Sequence, residues 1–261
     1  MTQALASRLI GRTAFINGGA RGIGRASALR LAAEGAKVWI TSRDEAAMAE
    51  AIAEAAQLDL VLNSLVMDSS NAASIQQTIE QVYLTDGRLD ILVNNAGGSL
   101  QTPGGFEQQS DEDWSRVLDL NIMGTVWACR SALPRMKAAG QGRIVNVGSK
   151  AGRFGSRVAG ANYAASKGAI SALTRQLAAE YGPVGITVNC VCPGLVMTTR
   201  TRARWEARKT SEERALLLTS IPLRRHAEPQ DVAGAIAFLA SDDAAFITGI
   251  TLDINGGEAM A

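Results

Sequence analysis

Seven short apolar runs, separated by longer helical patterns, constrain this chain more than any other feature. They are "RTAFIN" (12–17), "KVWITS" (37–42), "LVLNSLVMD" (60–68), "LDILVNN" (89–95), "GRIVNVGS" (142–149), "ITVNCVCP" (186–193) and "GITLDIN" (249–255). Several are apolar throughout instead of alternating, the pattern of strands covered on both faces. Between them lie amphipathic segments such as "GRASALRLAAEGA", "DEAAMAEAIAEAA" and "NAASIQQTIEQVYL". This alternation predicts an α/β fold: a doubly wound, seven-stranded parallel sheet whose right-handed crossovers put helices on both faces. Ligands of such sheets bind beyond the carboxyl ends of the strands.

No internal repeat, low-complexity tract or Pro/Ser-rich linker divides the 261 residues, so one domain over 1–261 is expected. Two stretches interrupt the pattern. One is a glycine-rich loop, "GGSLQTPGGFEQQ" (97–109); the other is an arginine-rich helical excursion at about 194–226, expected to be a substrate lid over the same sheet edge. Lysine and arginine number 26 against 25 acids, a net charge of +1, which gives no bulk electrostatic attraction to nucleic acid or an anionic membrane. The start lacks a secretory pattern, and "VAGAIAFLA" falls far short of the roughly 18 apolar residues that span a bilayer. A cytoplasmic protein is expected. Cys129, Cys190 and Cys192 fit that as unpaired thiols, the last two as small hydrophobes in an apolar strand. With His226 the only histidine, a His-based zinc site cannot be assembled, and no metal is expected.

The first strand runs into "NGGARGIG", with Gly18, Gly22 and Gly24 ahead of a helix. A glycine turn between strand and helix lets backbone amides and the positive helix end approach a pyrophosphate without interference from Cβ atoms. At the end of the second strand, Ser42 stands where an acid would bind the ribose 2′-hydroxyl of NAD, and Arg43 follows. Arg21 reaches from the glycine turn toward the same place, and guanidinium forks suit a 2′-phosphate. NADP is therefore favoured over NAD, with Asp44 as a counterweight. Asp68, beyond the third strand, either accepts from the adenine amino group or caps the helix beginning at "SSNAAS". The fourth strand ends in "NNAGG", where Asn95, Ala96 and Gly97 are small enough for backbone to pack against a cofactor.

"NGGARGIG", "NNAG" (94–97), Asn121 in "LNIMG", Ser149 in "VNVGS", "YAASK" (163–167) and "PGLVMT" (193–198) occur in the order and approximate spacing of the short-chain dehydrogenase/reductases. The resemblance covers essentially the whole chain, and 3-oxoacyl-(acyl-carrier-protein) reductases and related carbonyl reductases are similar. It implies a Rossmann fold and a nicotinamide cofactor held by Gly18, Arg21, Gly22, Ile23, Gly24, Ser42, Arg43, Asp68, Asn95, Ala96, Gly97, Tyr163, Lys167, Pro193, Gly194, Val196 and Thr198. It also implies a homotetramer built as a dimer of dimers. Asn17 replaces the usual threonine before the first glycine, and should still hydrogen-bond locally.

By the same resemblance Tyr163 is the general acid in ketone reduction and the general base in alcohol oxidation, Ser149 holds the substrate oxygen, Lys167 binds the nicotinamide ribose, and Asn121 helps anchor a water for proton exit. A tyrosine with a pKa near 10 is a poor base at neutral pH. An ammonium four residues on shares its helix face and favours the phenolate. An NADP(H)-dependent ketone–alcohol oxidoreductase is expected; an NAD-dependent sugar, polyol or alcohol dehydrogenase is the alternative, and a non-catalytic dinucleotide sensor is disfavoured by the complete set. Arg153, Arg157, Arg200 and Arg204 are candidates for gripping an anionic substrate. Yet Arg200, Arg204 and Arg208 form an i, i+4 stripe, with Lys209 and Arg202 nearby, so a solvated or subunit-contact face is preferred there.

Overall fold

A computed structural model describes residues 8–156, 158–208 and 210–260. The seven expected strands form as β1 (Thr13–Asn17), β2 (Lys37–Ser42), β3 (Leu62–Val66), β4 (Ile91–Asn94), β5 (Gly142–Val147), β6 (Ile186–Pro193) and β7 (Thr251–Ile254). All pair in parallel, in the order β3-β2-β1-β4-β5-β6-β7. Their connections carry α1 (Gly22–Ala33), α2 (Glu45–Ala56), α3 (Ala72–Asp86), α4 (Asp111–Leu118), α5 (Gly124–Ala139), α6 (Ala161–Tyr181), α7 (Thr199–Arg208), α8 (Ser211–Thr219) and α9 (Pro229–Ala240).

Successive side chains of a strand point to opposite faces, so apolar runs feed two cores at once. Ala14, Ile16, Val38, Ile40, Ile91 and Val93 pack with Leu31 of α1, Met48 of α2 and Ile236 of α9. Their neighbours Phe15, Trp39 and Leu92 face the other way, with Ile144 and Val188, onto Ile75 and Ile79 of α3 and Leu133 and Met136 of α5. Each large side chain buried this way contributes roughly 1.5–3 kcal/mol, which commits the sheet to cover on both sides. The winding reverses between β1 and β4, and that switch opens a crevice at their carboxyl ends.

Helix ends explain where some loops go. Asp44 caps α2 by accepting from the Ala47 amide at 2.9 Å, and Asn71, not Asp68, caps α3 by accepting from Ser74 at 2.9 Å. The excursion after β6 is two helices instead of one segment: Thr210 and Glu213 cap α8 reciprocally, with amide contacts of 2.8 and 3.2 Å. Its base is pinched, because the Met197 amide donates to the Ala227 carbonyl at 2.8 Å and the Ala227 amide to Leu195 at 3.2 Å. No helix among the described residues is long and apolar enough to cross a membrane.

Candidate active site

The glycine turn is built for close approach. Gly18 and Gly22 take φ of +82° and +53°, left-handed values that glycine alone adopts without strain. A Cβ on Gly24 would fall within van der Waals contact of the Gly18 carbonyl oxygen, and one on Gly18 would lie 2.9 Å from Ala96. Thr41 Oγ1 accepts from the Gly18 amide at 3.3 Å, and Asn95 Nδ2 donates to the Gly18 carbonyl at 2.6 Å. The Asn17 side chain, expected to bond locally, instead accepts from Ser69 Oγ of the β3–α3 loop at 2.6 Å. The amino end of α1 has no side-chain cap and no acid in its first turn, which leaves its positive end for an anion. Ile23 packs on the core beneath.

At the end of β2, Ser42 Oγ accepts from the Asp44 amide at 3.0 Å. Arg21 meets Asp44 at 2.9 Å, and Arg43 lies 3.8 Å from Asp68, with side-chain exposures of 62% and 72%. Exposed pairs of this kind hold only about 0–1 kcal/mol, so either guanidinium can exchange its carboxylate for a stronger anion. Asp68 also makes its own turn, accepting from the Ser70 amide at 2.9 Å and the Ser70 hydroxyl at 2.7 Å.

Asn121 sits in a π-helical turn, residues 119–123, joining α4 to α5. Its side chain is fully buried and holds one peptide at both ends: Oδ1 accepts from the Gly98 amide at 2.9 Å, and Nδ2 donates to the Gly98 carbonyl at 3.0 Å. Directly after this turn Gly124 presses on the β3–α3 loop, where a Cβ would meet the Ser69 carbonyl at 2.5 Å. Ser149 follows β5, its Oγ accepting from the Ala151 amide at 3.2 Å.

Tyr163 and Lys167 lie one turn apart near the start of α6. The Lys167 ammonium is buried, donates to the Val147 carbonyl at 2.8 Å, and stands 5.9 Å from the centre of the Tyr163 ring. Burial pushes it down to about 8, against partial opposition from Cys190 and Cys192. Burial also raises the Tyr163 phenol above its ordinary value; the Ser149 hydrogen bond and the Arg200 charge pull the other way. The expected lowering of this phenol is thus not met within the chain itself. Desolvation is the largest cause, and the Lys167 ammonium is drawn to the Val147 carbonyl instead.

The segment from Pro193 to Thr198 closes the crevice from the other side. The Gly194 amide bonds Ile254 at 2.9 Å, Val196 bridges to Ala227, and the Thr198 methyl would lie 2.9 Å from a Cβ on Gly22. The two glycine-bearing walls therefore touch. Loop 97–109 packs on the head of α6, where the Asn162 amide donates to Gln109 at 3.2 Å.

The candidate arginines separate. Arg153 is turned to the edge strand, onto Asp253 and the Thr251 carbonyl, so it is not aimed at the crevice. Arg200 is exposed at the crevice rim. Arg157 and Lys209 lie outside the described residues, as do the side chains of Arg204 and Arg208. Cys190 and Cys192 are buried in β6 with sulfurs 3.8 Å apart, and no metal-holding group of His, Cys, Asp or Glu occurs among the described residues. Thr41, Val147 and Gly98 escaped the sequence reading. Val147 and Gly98 act through their backbone and Thr41 through its hydroxyl, and only Gly98 carried a signal, its place in the glycine loop.

These residues fit a dinucleotide. The turn has a cradle that any side chain would fill, and the buried Lys167 ammonium has three donors but one bond to a described acceptor.

The profile of the family described as Enoyl-(Acyl carrier protein) reductase matches residues 18–258. The chain is 38% identical over 250 residues to a 3-oxoacyl-(acyl-carrier-protein) reductase FabG of Escherichia coli, covering 96% of this chain and 98% of that protein. It is 35% identical over 266 residues to a cyclohexanol dehydrogenase of Rhodococcus sp. strain TK6, covering 95% and 96%. Among solved structures, "Crystal structure of gox2181" superposes with a TM-score of 0.91 at 34% identity, covering 99% of both chains.

Proposed function

Since the chain belongs to the short-chain dehydrogenase/reductase family of NAD(P)-dependent enzymes acting on CH–OH groups, we propose that it interconverts a ketone and a secondary alcohol with NADP(H), Tyr163 moving the proton. The observation that carries this reading is the convergence of Ser149, Tyr163 and Lys167 beside the Asn121-held loop, at the same strand ends as the glycine turn. The similar proteins support a carbonyl or carbinol substrate without naming one, since one is an oxoacyl reductase and another a cyclohexanol dehydrogenase.

When bound, the dinucleotide supplies or accepts the hydride at the carbinol carbon. Ser149 and the Tyr163 hydroxyl hold the substrate oxygen, and Tyr163 gives it a proton during reduction or takes one during oxidation; such transfer contributes typically 10²–10⁴-fold. Lys167 turns its two remaining donors to ribose hydroxyls, and its charge opposes part of the burial that disfavours the phenolate without cancelling it. Bringing a phenol from about 10 to neutrality takes roughly 4 kcal/mol of differential stabilisation. Asn121 fixes the Gly98 peptide as a wall of the site. Gly18, Gly22 and Gly24 with the end of α1 receive the pyrophosphate, Asn95 to Gly97 and Pro193 to Thr198 line the nicotinamide half, and Arg21, Ser42 and Arg43 take the 2′-phosphate, with Asp68 at the adenine end. The excursion at 194–226 serves as the lid.

Asp44 and Asp68 facing the two arginines favour the rival NAD reading. Titrating NADPH and NADH separates the two; tighter NADH binding would overturn the NADP assignment. A panel of ketones and secondary alcohols run with NADPH and NADP tests the reaction, and turnover of none would reject it. Free buried cysteines support a cytoplasmic setting. Fully exposed Phe246 and partly exposed Ile250, just ahead of edge strand β7, support homotetramer assembly, which sedimentation checks.

A further inference from the structure

Among the described residues, the arginines and the surface lysine around the crevice are engaged, with one exception. Lys150 pairs with Glu258, Arg153 with Asp253, and Arg202 with Glu228. Arg200, on the first turn of α7, makes no hydrogen bond or ion pair with any described residue. Its guanidinium is nonetheless located: a methyl group added to Gly98 would lie 3.8 Å from its Nη2. Gly98 is the peptide that Asn121 grips at both ends. The same guanidinium acts electrostatically on the Tyr163 phenol from across the crevice. An unpaired cation, a fixed loop peptide and the proton-transfer residue thus border one space.

We infer that Arg200 is the specificity-determining residue of this crevice, binding the carboxylate of a short-chain oxo acid or hydroxy acid whose ketone or alcohol oxygen is held by Tyr163 and Ser149. The inference rests on the ketone–alcohol reading above. A carboxylate fits better than a phosphate, because a phosphate monoester carries nearly two charges, and the other described cation at this space, Lys167, is buried, bonded to Val147 and by the reading above turned to the ribose. The planar guanidinium fork matches a carboxylate's two oxygens, and the amino end of α7 adds a favourable dipole. Because Arg200 is exposed, water competes, and the contribution falls below that of a fully desolvated pair. The other arginines of the stripe need no part in this.

Pyruvate, acetoacetate and levulinate, each beside its methyl ester, are assayed with NADPH on the wild-type enzyme and on Arg200→Met and Arg200→Lys. At least one acid is expected to exceed its ester in kcat/KM. Arg200→Met should lower that acid-to-ester ratio roughly 10- to 100-fold, chiefly through KM, and Arg200→Lys should restore part of it. A ratio unchanged in Arg200→Met, or a wild type that prefers every ester, overturns the inference. If the wild type reduces neutral ketones but no oxo acid, the carboxylate assignment alone falls. If it turns over no ketone or alcohol of any kind, the ketone–alcohol reading falls and takes this one with it.

Discussion

Lys167 holds its ammonium 2.8 Å from the Val147 carbonyl and 5.9 Å from the centre of the Tyr163 ring. Backbone from the end of β5 therefore sets where this charge sits, and the phenol receives it at a distance.

That burial has a pH signature. Lys167 falls from an ordinary 10.5 to about 8 in the folded chain. Between those values the unfolded chain binds the proton and the folded chain has released it, so this group's contribution to stability rises with pH across that window and is at its least favourable below it. Replacing Lys167 with Met removes the buried charge and should stabilise the fold at pH 7 by up to about 3 kcal/mol, less the lost bond to Val147. Urea unfolding of both proteins from pH 7 to 10 measures this. The advantage of Lys167→Met should shrink steadily above pH 8, and a gap independent of pH would refute the depressed lysine.

Tyr163→Phe removes the transferable proton and little else. The ring stays packed, and the backbone amide keeps its 2.7 Å bond to Asn162. Turnover should fall about 10³-fold, with dinucleotide affinity nearly unchanged. Steady-state rates and a fluorescence titration of NADPH read the two separately, and a variant with near-normal turnover would remove Tyr163 from the chemistry.

Gly24→Ala probes the cradle. The new methyl would collide with the Gly18 carbonyl, which is backbone and held by Asn95. The turn must open, at a cost of about 1–3 kcal/mol, and dinucleotide binding should weaken at least tenfold. Gly87→Ala is the control: its φ of +70° strains any side chain, but nothing lies within 4 Å, so it should lose stability and keep cofactor affinity. Equal affinity loss in both variants would show general destabilisation instead of a cradle effect.

Strands and cradle were legible in the sequence because both are local. A run such as "ITVNCVCP" becomes β6 over the same eight residues, and "NGGARGIG" becomes the turn with its two left-handed glycines. The third strand was overdrawn at 60–68 against 62–66, since Leu60 and Met67 are packed as core without extending the strand. Long-range pairings left no local trace. Nothing near Arg153 announces Asp253 a hundred residues later, and the i, i+4 stripe treated Arg200 as the equal of its neighbours although only tertiary structure brings it to Gly98. Asp68 shows the remaining limit: the sequence allows it as a cap, but Asn71, three residues on, took the helix.

Asn121 gives the sharpest test of how the site is held. Its amide makes two donor bonds, to the Gly98 and Val117 carbonyls at 3.0 and 2.9 Å, and accepts from the Gly98 amide at 2.9 Å. Asn121→Ala removes all three and should cost about 2–3 kcal/mol, because water reaches half-buried Gly98 and replaces part of the loss. Asn121→Asp keeps the shape and one acceptor but points a carboxylate oxygen at two carbonyls, so at pH 7 it should be less stable than Ala. Protonation would restore a donor there, so the folded state holds the proton above the usual carboxylate range. Its stability should consequently recover as pH falls from 7 toward 5, the reverse of what an aspartate held by a cation or by donated hydrogen bonds shows. Urea unfolding at both pH values, paired with ketone turnover, decides it. An Asp variant that is as stable as wild type at pH 7 would mean that the Gly98 peptide is not held by this amide.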